Sequence, residues 1–143
     1  MIVKVFSKQD FVISMLEQTI SDATVDKSAD YYICIDSTGG PDSIAYFKDL
    51  HTNVIRLVFD DVEQDTRMWG NDIRDYYNAV AMIESQAQDL YKFIQTIPKT
   101  STINIHCAKG QSRSVAIASF LQEQELGNQH VLKLLRQASG LSN

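Results

Sequence analysis

The sequence predicts an α/β fold in a single domain over residues 1–143, with a mainly parallel central sheet flanked by helices. Short apolar segments of strand length alternate along the chain with longer segments of helical periodicity. This alternation is typical of parallel strands joined by helices that cover both faces of the sheet. The length of 143 residues suits one domain, and the 44% hydrophobic content is enough for an ordinary core.

The composition excludes several classes of protein. The net charge of −5 argues against nucleic-acid binding through a general basic surface. Two cysteines, Cys34 and Cys107, do not suggest a disulfide framework. The first residues, M-I-V-K-V-F, lack the long apolar segment of a signal peptide, and no apolar run reaches the length of a membrane span. We therefore expect a cytoplasmic protein without nucleic-acid or membrane partners, and its oligomeric state stays open.

The first third of the chain predicts two strands separated by a helix. Ile2–Phe6 is a short strand candidate. Ser7 is predicted to cap a helix over about Lys8–Gln18, with Asp10 in a capping-box-like position. Tyr31–Ile35 is predicted to be a central, buried strand.

The middle of the chain predicts a third strand followed by the clearest helical pattern. We expect a short helix over 44–50 and a strand over Asn53–Phe59. In residues 72–97 the apolar positions recur at gaps of three and four, which predicts either one long helix or two helices broken near 85–88.

The last third predicts a strand, a helix and a final amphipathic helix. The strand is Thr102–His106, and the helix runs from Ser112 to about Glu125 with Gly127 as its C-cap. One face of the final helix is apolar at helical spacing, through Val131, Leu134, Leu135 and Ala138.

The stretch 103–114, I-N-I-H-C-A-K-G-Q-S-R-S, carries the chemistry of the chain. It is interpreted as the end of a strand, a tight loop and the beginning of a buried helix. The backbone N–H groups at the beginning of a helix lack partners and the helix dipole is positive there, so this geometry favours an anion site.

The residue types in this stretch fit a nucleophile beside a bound anion. The pKa of the Cys107 thiol should fall at a helix N-terminus next to an arginine. Arg113 offers two parallel donors to the oxygens of a phosphate-like anion. Gly110 allows a turn that other residues avoid. Ser114 can hydrogen-bond the sulfur, and His106 could fix the orientation of the nucleophile through loop amides.

The motif H-C-x-x-G-x-S-R-S resembles the signature of the cysteine-dependent protein tyrosine phosphatases, most closely the dual-specificity branch and its small bacterial and viral relatives. The resemblance implies a phosphatase-like α/β fold and hydrolysis of phosphotyrosine, with phosphoserine and phosphothreonine as further substrates. It also implies a cysteinyl-phosphate intermediate, a phosphoprotein or phosphopeptide partner, and no metal or other cofactor. The implied substrate-binding residues are His106, Ala108, Lys109, Gly110, Gln111 and Ser112.

In the resembled family an aspartic acid on a loop after a strand protonates the leaving group, and the segment F-D-D-V matches that pattern. The match places the acid at Asp61, with Asp60 as the close competitor and Asp65 or Asp72 still open. The separation between Asp61 and Cys107 is longer than many dual-specificity enzymes show. The catalytic residues implied by the family are thus Cys107, Arg113, Asp61 and Ser114.

The loop 62–71 could cover the site, because it contains Arg67, Met68 and Trp69. The alternative is that the tryptophan anchors this loop to the core. Ser37 and Thr38 either border the site or are plain turn residues.

Other interpretations of the same residues stay open. Cys34 is either a small core residue or a resolving thiol that protects Cys107, and the second role would also suit an arsenate-reducing enzyme or a sulfurtransferase. The anion loop could instead belong to a catalytically weak, phosphate-binding pseudo-phosphatase. Within the phosphatases, an RNA 5′-phosphate or a phosphoinositide is an alternative substrate. The sequence contains no clustered His and Cys residues that would suggest a metal site.

Overall fold

The computed structural model describes residues 1–62 and 79–140. In this part of the chain, four strands alternate with four helices and two single turns of 3-10 helix. In chain order they are β1 (Ile2–Ser7), α1 (Lys8–Glu17), the turn Val25–Lys27, β2 (Tyr31–Asp36), the turn Pro41–Ser43, β3 (Val54–Val58), α2 (Glu84–Gln95), β4 (Thr102–Cys107), α3 (Arg113–Leu121) and α4 (Gln129–Ala138). No helix in the described ranges has both the length and the apolar character needed to cross a bilayer.

The four strands form one sheet in the order β1-β4-β2-β3, and every neighbouring pair is parallel. The predicted α/β class and parallel central sheet are therefore confirmed, as are the positions of all four strands. Because the strands are parallel, their carboxyl ends meet at one edge, and the residues that follow β1, β2, β3 and β4 lie near each other there.

Successive residues of a strand point to opposite faces, so the sheet carries two apolar layers. Ile33 and Ile35 of β2 belong to the larger core, which includes side chains of α2, α3 and α4. Tyr32 and Cys34 belong to a second core around Phe11 of α1. Both faces are thus covered, as the buried sequence of β2 predicted.

The β1–α1 junction forms as the sequence predicted. The Ser7 side chain accepts a hydrogen bond from the Asp10 N–H at 3.1 Å, which caps α1. The Phe6 and Phe11 rings on either side of this cap pack edge to face at 6.0 Å between centroids. The cap fixes the direction in which the chain leaves β1, beside the carboxyl end of β4.

Two predictions for helices in the middle of the chain are wrong. Residues 79–83 are not helical and α2 begins only at Glu84, so 72–97 is not one long helix, and 85–88 lies inside α2 and not at a break. Residues 72–78 lie outside the described part of the chain. The segment 44–50 is not a helix either. Its backbone groups bond to the side chains of Lys8, Asp22 and Arg56.

The end of α3 also differs from the prediction. The helix ends at Leu121 instead of about Glu125, and Gly127 is not its C-cap. Gly127 has φ +88°, and a Cβ on it would approach Ala116 N to 2.4 Å and Ser112 O to 2.6 Å. A glycine is needed here because the chain before α4 passes directly over the beginning of α3.

Candidate active site

The candidate active site is the loop 108–112, which joins β4 to α3 at the carboxyl edge of the sheet. Cys107 is the last residue of β4, and Arg113 is the first residue of α3. The loop emerges between the ends of β1 and β2, because β4 lies between those strands. The Lys8 N–H at the beginning of α1 donates a hydrogen bond to the Ala108 carbonyl at 3.1 Å, so the loop and α1 are held together.

Gly110 is the point at which the loop touches β1. Its φ is +68°, so the predicted left-handed turn is confirmed. A Cβ at this position would lie 2.7 Å from both Phe6 C and Ser7 N, which is closer than nonbonded atoms can approach. Around this contact, the loop residues Lys109 and Gln111 are exposed and Ala108 and Ser112 are partly buried.

Cys107 stands at the end of β4, directly before the loop, and the residue is almost fully covered, at 2% exposure. Its Sγ is 3.0 Å from Ser114 Oγ and accepts a hydrogen bond from the Gly110 N–H at 3.3 Å. Burial by itself would raise the pKa of the thiol. The hydrogen bonds from Ser114 and Gly110 and the positive charge of Arg113 outweigh burial, so the pKa of Cys107 lies below its ordinary value. The predicted direction of this shift is confirmed.

Arg113 is buried beneath the loop, with 4% exposure. One guanidinium nitrogen, NH1, donates to the Phe59 carbonyl at 2.6 Å and to Ser37 Oγ at 3.1 Å. The Nε atom is buried and has no hydrogen-bond acceptor among the residues that the structure describes. A buried N–H of a charged group without an acceptor is costly, so this part of the guanidinium is suited to an incoming anion.

The first turn of α3 receives no cap from the side chain of its own N-cap residue. Ser112 stands at the N-cap position, but its hydroxyl makes no cap bond. It donates instead to Asp61 Oδ1 at 2.7 Å. The N-termini of α1 and α4, in contrast, are capped by Ser7 and Asn128. The positive end of α3 is thus left open toward the loop that holds Cys107.

His106, the residue before the nucleophile, is a core residue of β4. Its ring is fully buried on the α1 face of the sheet and lies 4.4 Å from the Phe11 ring, between centroids. Burial and the positive charge of Lys8 lower the pKa of His106 to about 3, so the ring is neutral at physiological pH. The Cys107 backbone lies close enough to the ring to oppose this lowering of the pKa, although neither ring nitrogen makes a well-aligned hydrogen bond in the described ranges.

The two adjacent carboxylates after β3 have different partners. Asp60 accepts hydrogen bonds from the Thr38 N–H at 3.0 Å, the Thr38 hydroxyl at 2.6 Å and the Val80 N–H at 2.8 Å. Burial would raise the pKa of Asp60, but these bonds outweigh it and the pKa lies below its ordinary value. Asp60 is therefore an ionised anchor that holds the loop after β2 and the chain at 80 together.

Asp61 points toward the anion loop. Its Oδ1 accepts hydrogen bonds from Ser112 Oγ and from Asn128 Nδ2, each at 2.7 Å. No hydrogen bond to Oδ2 is found among the described residues, and Asp61 is exposed. Of the two neighbouring candidates for the acid, Asp61 is the one that contacts the loop bearing Cys107.

Asn128 was not singled out by the sequence analysis, although it is fully buried beside Asp61. Its Oδ1 caps α4 by accepting from the Val131 N–H at 3.1 Å, while its Nδ2 donates to Asp61 and to the Val62 carbonyl at 3.1 Å. An asparagine directly before an amphipathic helix is a typical N-cap signal and could have identified the cap. Its contact with Asp61 depends on the tertiary fold.

Several predicted site residues lie outside the described residues. They are the alternative acids Asp65 and Asp72 and the candidate flap residues Arg67, Met68 and Trp69. Ser37 and Thr38 do border the site, because they bond to Arg113 and Asp60 respectively.

Cys34 lies on the other face of the sheet from Cys107. It pairs with His106 in the register of β2 and β4, and it belongs to the core around Phe11. Cys107 belongs to the opposite core. Burial raises the pKa of the Cys34 thiol, which keeps it protonated. The geometry therefore fits a core residue and does not fit a resolving thiol.

Within residues 1–62 and 79–140, no three His, Cys, Asp or Glu side chains come together in an arrangement that could hold a metal ion. Comparisons of the chain with protein-family models, curated proteins and solved structures found no match.

Proposed function

We propose that this chain is a cysteine-dependent phosphomonoester hydrolase that acts on phosphotyrosine in proteins, with phosphoserine and phosphothreonine as further substrates. The observation that carries the proposal is the meeting of two groups at the uncapped end of α3. One is the Cys107 thiol, whose pKa is lowered. The other is the buried Arg113 guanidinium, whose Nε lacks an acceptor in the described ranges. A tetrahedral anion with a good electrophilic centre suits this pair.

In the first step, the Cys107 thiolate attacks phosphorus opposite the leaving oxygen. An S–P bond forms as the bond from phosphorus to the substrate oxygen breaks. Arg113 and the loop amides hold the nonbridging oxygens as their charge develops. Asp61 gives its proton to the departing oxygen, so that the product leaves as a neutral alcohol or phenol.

In the second step, a water molecule attacks the cysteinyl-phosphate. The Asp61 carboxylate, which lost its proton in the first step, accepts one from this water. The S–P bond breaks, and the departing thiolate accepts hydrogen bonds from Ser114 Oγ and the Gly110 N–H, which lie 3.0 and 3.3 Å from the sulfur. The products are inorganic phosphate and the original thiolate. A reactive thiolate requires a reducing compartment, so the proposal includes the cytoplasm.

The alternative function of arsenate reduction, which needs a second thiol, has less support. Arsenate reduction through Cys107 would require a thiol that can reach its sulfur, and Cys34 faces the opposite core. Phosphoryl transfer to water uses only groups that already lie together around the loop.

The first test is hydrolysis of a small aryl phosphate between pH 4 and 9, in EDTA with a reductant. We expect a bell-shaped profile whose acidic limb lies below the ordinary thiol pKa of about 8.5, because the pKa of Cys107 is lowered. Cys107→Ser should abolish turnover. Asp61→Asn should reduce kcat by about 10²-fold and flatten the basic limb, since a general acid contributes on that order.

Asp60→Asn is the matched control, because the same chemical change is made at the adjacent carboxylate. It should lower stability, through loss of the bonds to Thr38 and Val80, but keep the basic limb. A flattened limb in this variant and not in Asp61→Asn would move the acid away from Asp61. No turnover by the unmutated protein, combined with tight vanadate binding, would reject the hydrolase and favour a phosphate-binding module.

A further inference from the structure

Asn128 is a buried junction between three parts of the site. Its backbone N–H donates to the Ser112 carbonyl at 3.1 Å, which places it against the end of the anion loop. Its side-chain Oδ1 accepts from the Val131 N–H, and its Nδ2 donates to Asp61 Oδ1 and the Val62 carbonyl. One fully buried residue thus contacts the loop through its backbone, and the beginning of α4 and the segment that carries the acid through its side chain.

The orientation of this amide follows from its partners. The Val131 N–H can only donate, so the atom that faces it must be the amide oxygen. The other amide atom is therefore the nitrogen, which faces the Val62 carbonyl and Asp61 Oδ1. An amide nitrogen donates and cannot accept. A proton on Asp61 Oδ1 would therefore point at an N–H group and find no acceptor in Asn128.

Gly127 explains why the junction is held in place. A Cβ on this residue would collide with Ser112 O and Ala116 N, so the chain just before Asn128 lies directly against the first turn of α3. The position of the Asn128 side chain is thus defined relative to the anion loop, and through the 2.7 Å contact it defines the position of Asp61 Oδ1.

We propose that Asn128 is a positioning residue for the acid: it holds Oδ1 of Asp61 as a permanent acceptor, so that the transferable proton resides on Oδ2. This inference rests on the proposed phosphatase function. Ser112 Oγ supplies the second hydrogen bond to the same oxygen. Because a hydroxyl both donates and accepts, Ser112 could also accept a hydrogen bond from a protonated Oδ1. Asn128 Nδ2 can only donate, and it therefore decides which oxygen of Asp61 carries the proton.

The test measures kcat/KM for aryl phosphates that differ in the basicity of the leaving group. The leaving group of dinitrophenyl phosphate departs as a phenolate without protonation. The leaving group of phenyl phosphate, a phenol with a pKa near 10, needs a proton from the acid. Asn128→Ser keeps an N-cap oxygen for α4 but removes the donor to Asp61. Asn128→Asp keeps the shape and the cap but replaces that donor by a carboxyl oxygen. In both variants, turnover of phenyl phosphate should fall by about tenfold to a hundredfold more than turnover of dinitrophenyl phosphate.

Asn104→Asp is the matched control. Asn104 is also a buried asparagine that donates to a carboxylate, Asp30, at 3.1 Å, but it belongs to the amino-terminal half of β4. Its substitution makes the same chemical change away from the loop, so it should lower the melting temperature without changing the ratio between the two substrates.

A double variant separates positioning from general damage. In the Asp61→Asn background, Asn128→Ser should have no further effect on the substrate ratio, because the acid it positions is gone. An equal effect with and without Asp61, or an unchanged ratio in both Asn128 variants, would overturn the inference. Failure of the proposed function is distinguishable, since the unmutated protein would then turn over neither phosphate.

Discussion

Gly110 shows how one residue fixes the distance between the anion loop and its neighbours. Its φ of +68° and the 2.7 Å approach of its Cβ position to the backbone of Phe6 and Ser7 impose two separate requirements. The first is a left-handed conformation, which costs an ordinary residue roughly 1–2 kcal/mol. The second is the absence of a side chain, because backbone atoms of β1 cannot move without displacing the strand.

The pair Gly110→Ala and Gly40→Ala separates these requirements. Gly40 has φ +75° and no atom of the described residues lies within 4 Å of its Cβ position, so its replacement should lower the free energy of unfolding by only about 1 kcal/mol. Gly110→Ala adds the collision, so we expect a larger loss, accompanied by lower activity as the loop moves off β1. Urea unfolding and aryl phosphate turnover measure the two effects. Equal stabilities of the two variants would show that the loop can move without cost.

The distinction between Asp60 and Asp61 shows where prediction from sequence ends at this scale. The motif F-D-D-V locates the acidic pair. It cannot tell which of the two adjacent aspartates is the acid, because both are the same residue type in the same local sequence. The difference comes from distant residues: Thr38 and Val80 occupy Asp60, whereas Ser112 and Asn128 hold Asp61. Such contacts depend on how three loops meet at the sheet edge, and no spacing rule encodes that.

At the scale of elements, the central strands β2 and β4 were predicted well because buried parallel strands have a distinctive apolar composition. The alternation of β2 also places the Cys34 side chain. It stands between Ile33 and Ile35, which face the core of Cys107, so its own side chain faces the other way. A disulfide between the two cysteines would require a strand in the middle of the sheet to turn over.

We therefore predict that oxidation of the protein forms no disulfide between Cys34 and Cys107. After treatment with peroxide, mass spectrometry without reductant should find oxidised Cys107 while Cys34 stays a free thiol. The two residues are equally buried, but the pKa of Cys34 is raised and that of Cys107 is lowered, so only Cys107 offers a thiolate. Cys34→Ala should lose activity to peroxide at the same rate as the unmutated protein. Faster loss of activity in that variant would support a resolving role for Cys34.

The helices were predicted less well, because periodicity does not detect competition for backbone groups. In the segment 44–50, the Ile44 carbonyl accepts from Lys8 Nζ at 2.6 Å and the Phe47 carbonyl accepts from Arg56 NH1 at 2.6 Å. The N–H groups of Lys48 and Asp49 donate to the Asp22 carboxylate. These tertiary bonds satisfy the groups that a helix would use, so apolar spacing alone gave the wrong structure.

At the scale of the whole molecule, the segment 44–53 is held over the α1 face of the sheet by a clamp that consists of His51, Asp22 and Asp26. His51 Nε2 lies 2.7 Å from Asp22 Oδ1, and His51 Nδ1 lies 2.8 Å from Asp26 Oδ1. The clamp therefore ties the segment at 44–53 to the loop at 19–27. Between them they enclose Phe47 and Val25, which are fully buried in the core around Phe11.

The charge on this clamp should make stability depend on pH. The hydrogen bond to Asp22 and the contacts with Asp26 raise the pKa of His51, and the Lys48 amide and His51 lower the pKa of Asp22 to about 2. The contribution of His51 is complete below its ordinary pKa of about 6.5 and is lost as pH rises through the raised folded-state pKa. The contribution of Asp22 is complete above about pH 3.9 and is lost as pH falls through about 2.

Both contributions are present together between about pH 4 and 6.5, so His51→Gln should destabilise the protein most in that window. We expect its cost in unfolding free energy to be larger at pH 5.5 than at pH 9, by on the order of 1 kcal/mol, since hydrogen bonds to charged groups exceed neutral ones by about that much. His130→Gln is the control, because His130 Nε2 bonds to the Met82 carbonyl and to no carboxylate in the described ranges. Urea unfolding of both variants at the two pH values measures the difference. Equal costs for His51→Gln at pH 5.5 and pH 9 would mean that the clamp acts through packing against Phe47 alone, whose ring lies 6.0 Å from His51 between centroids.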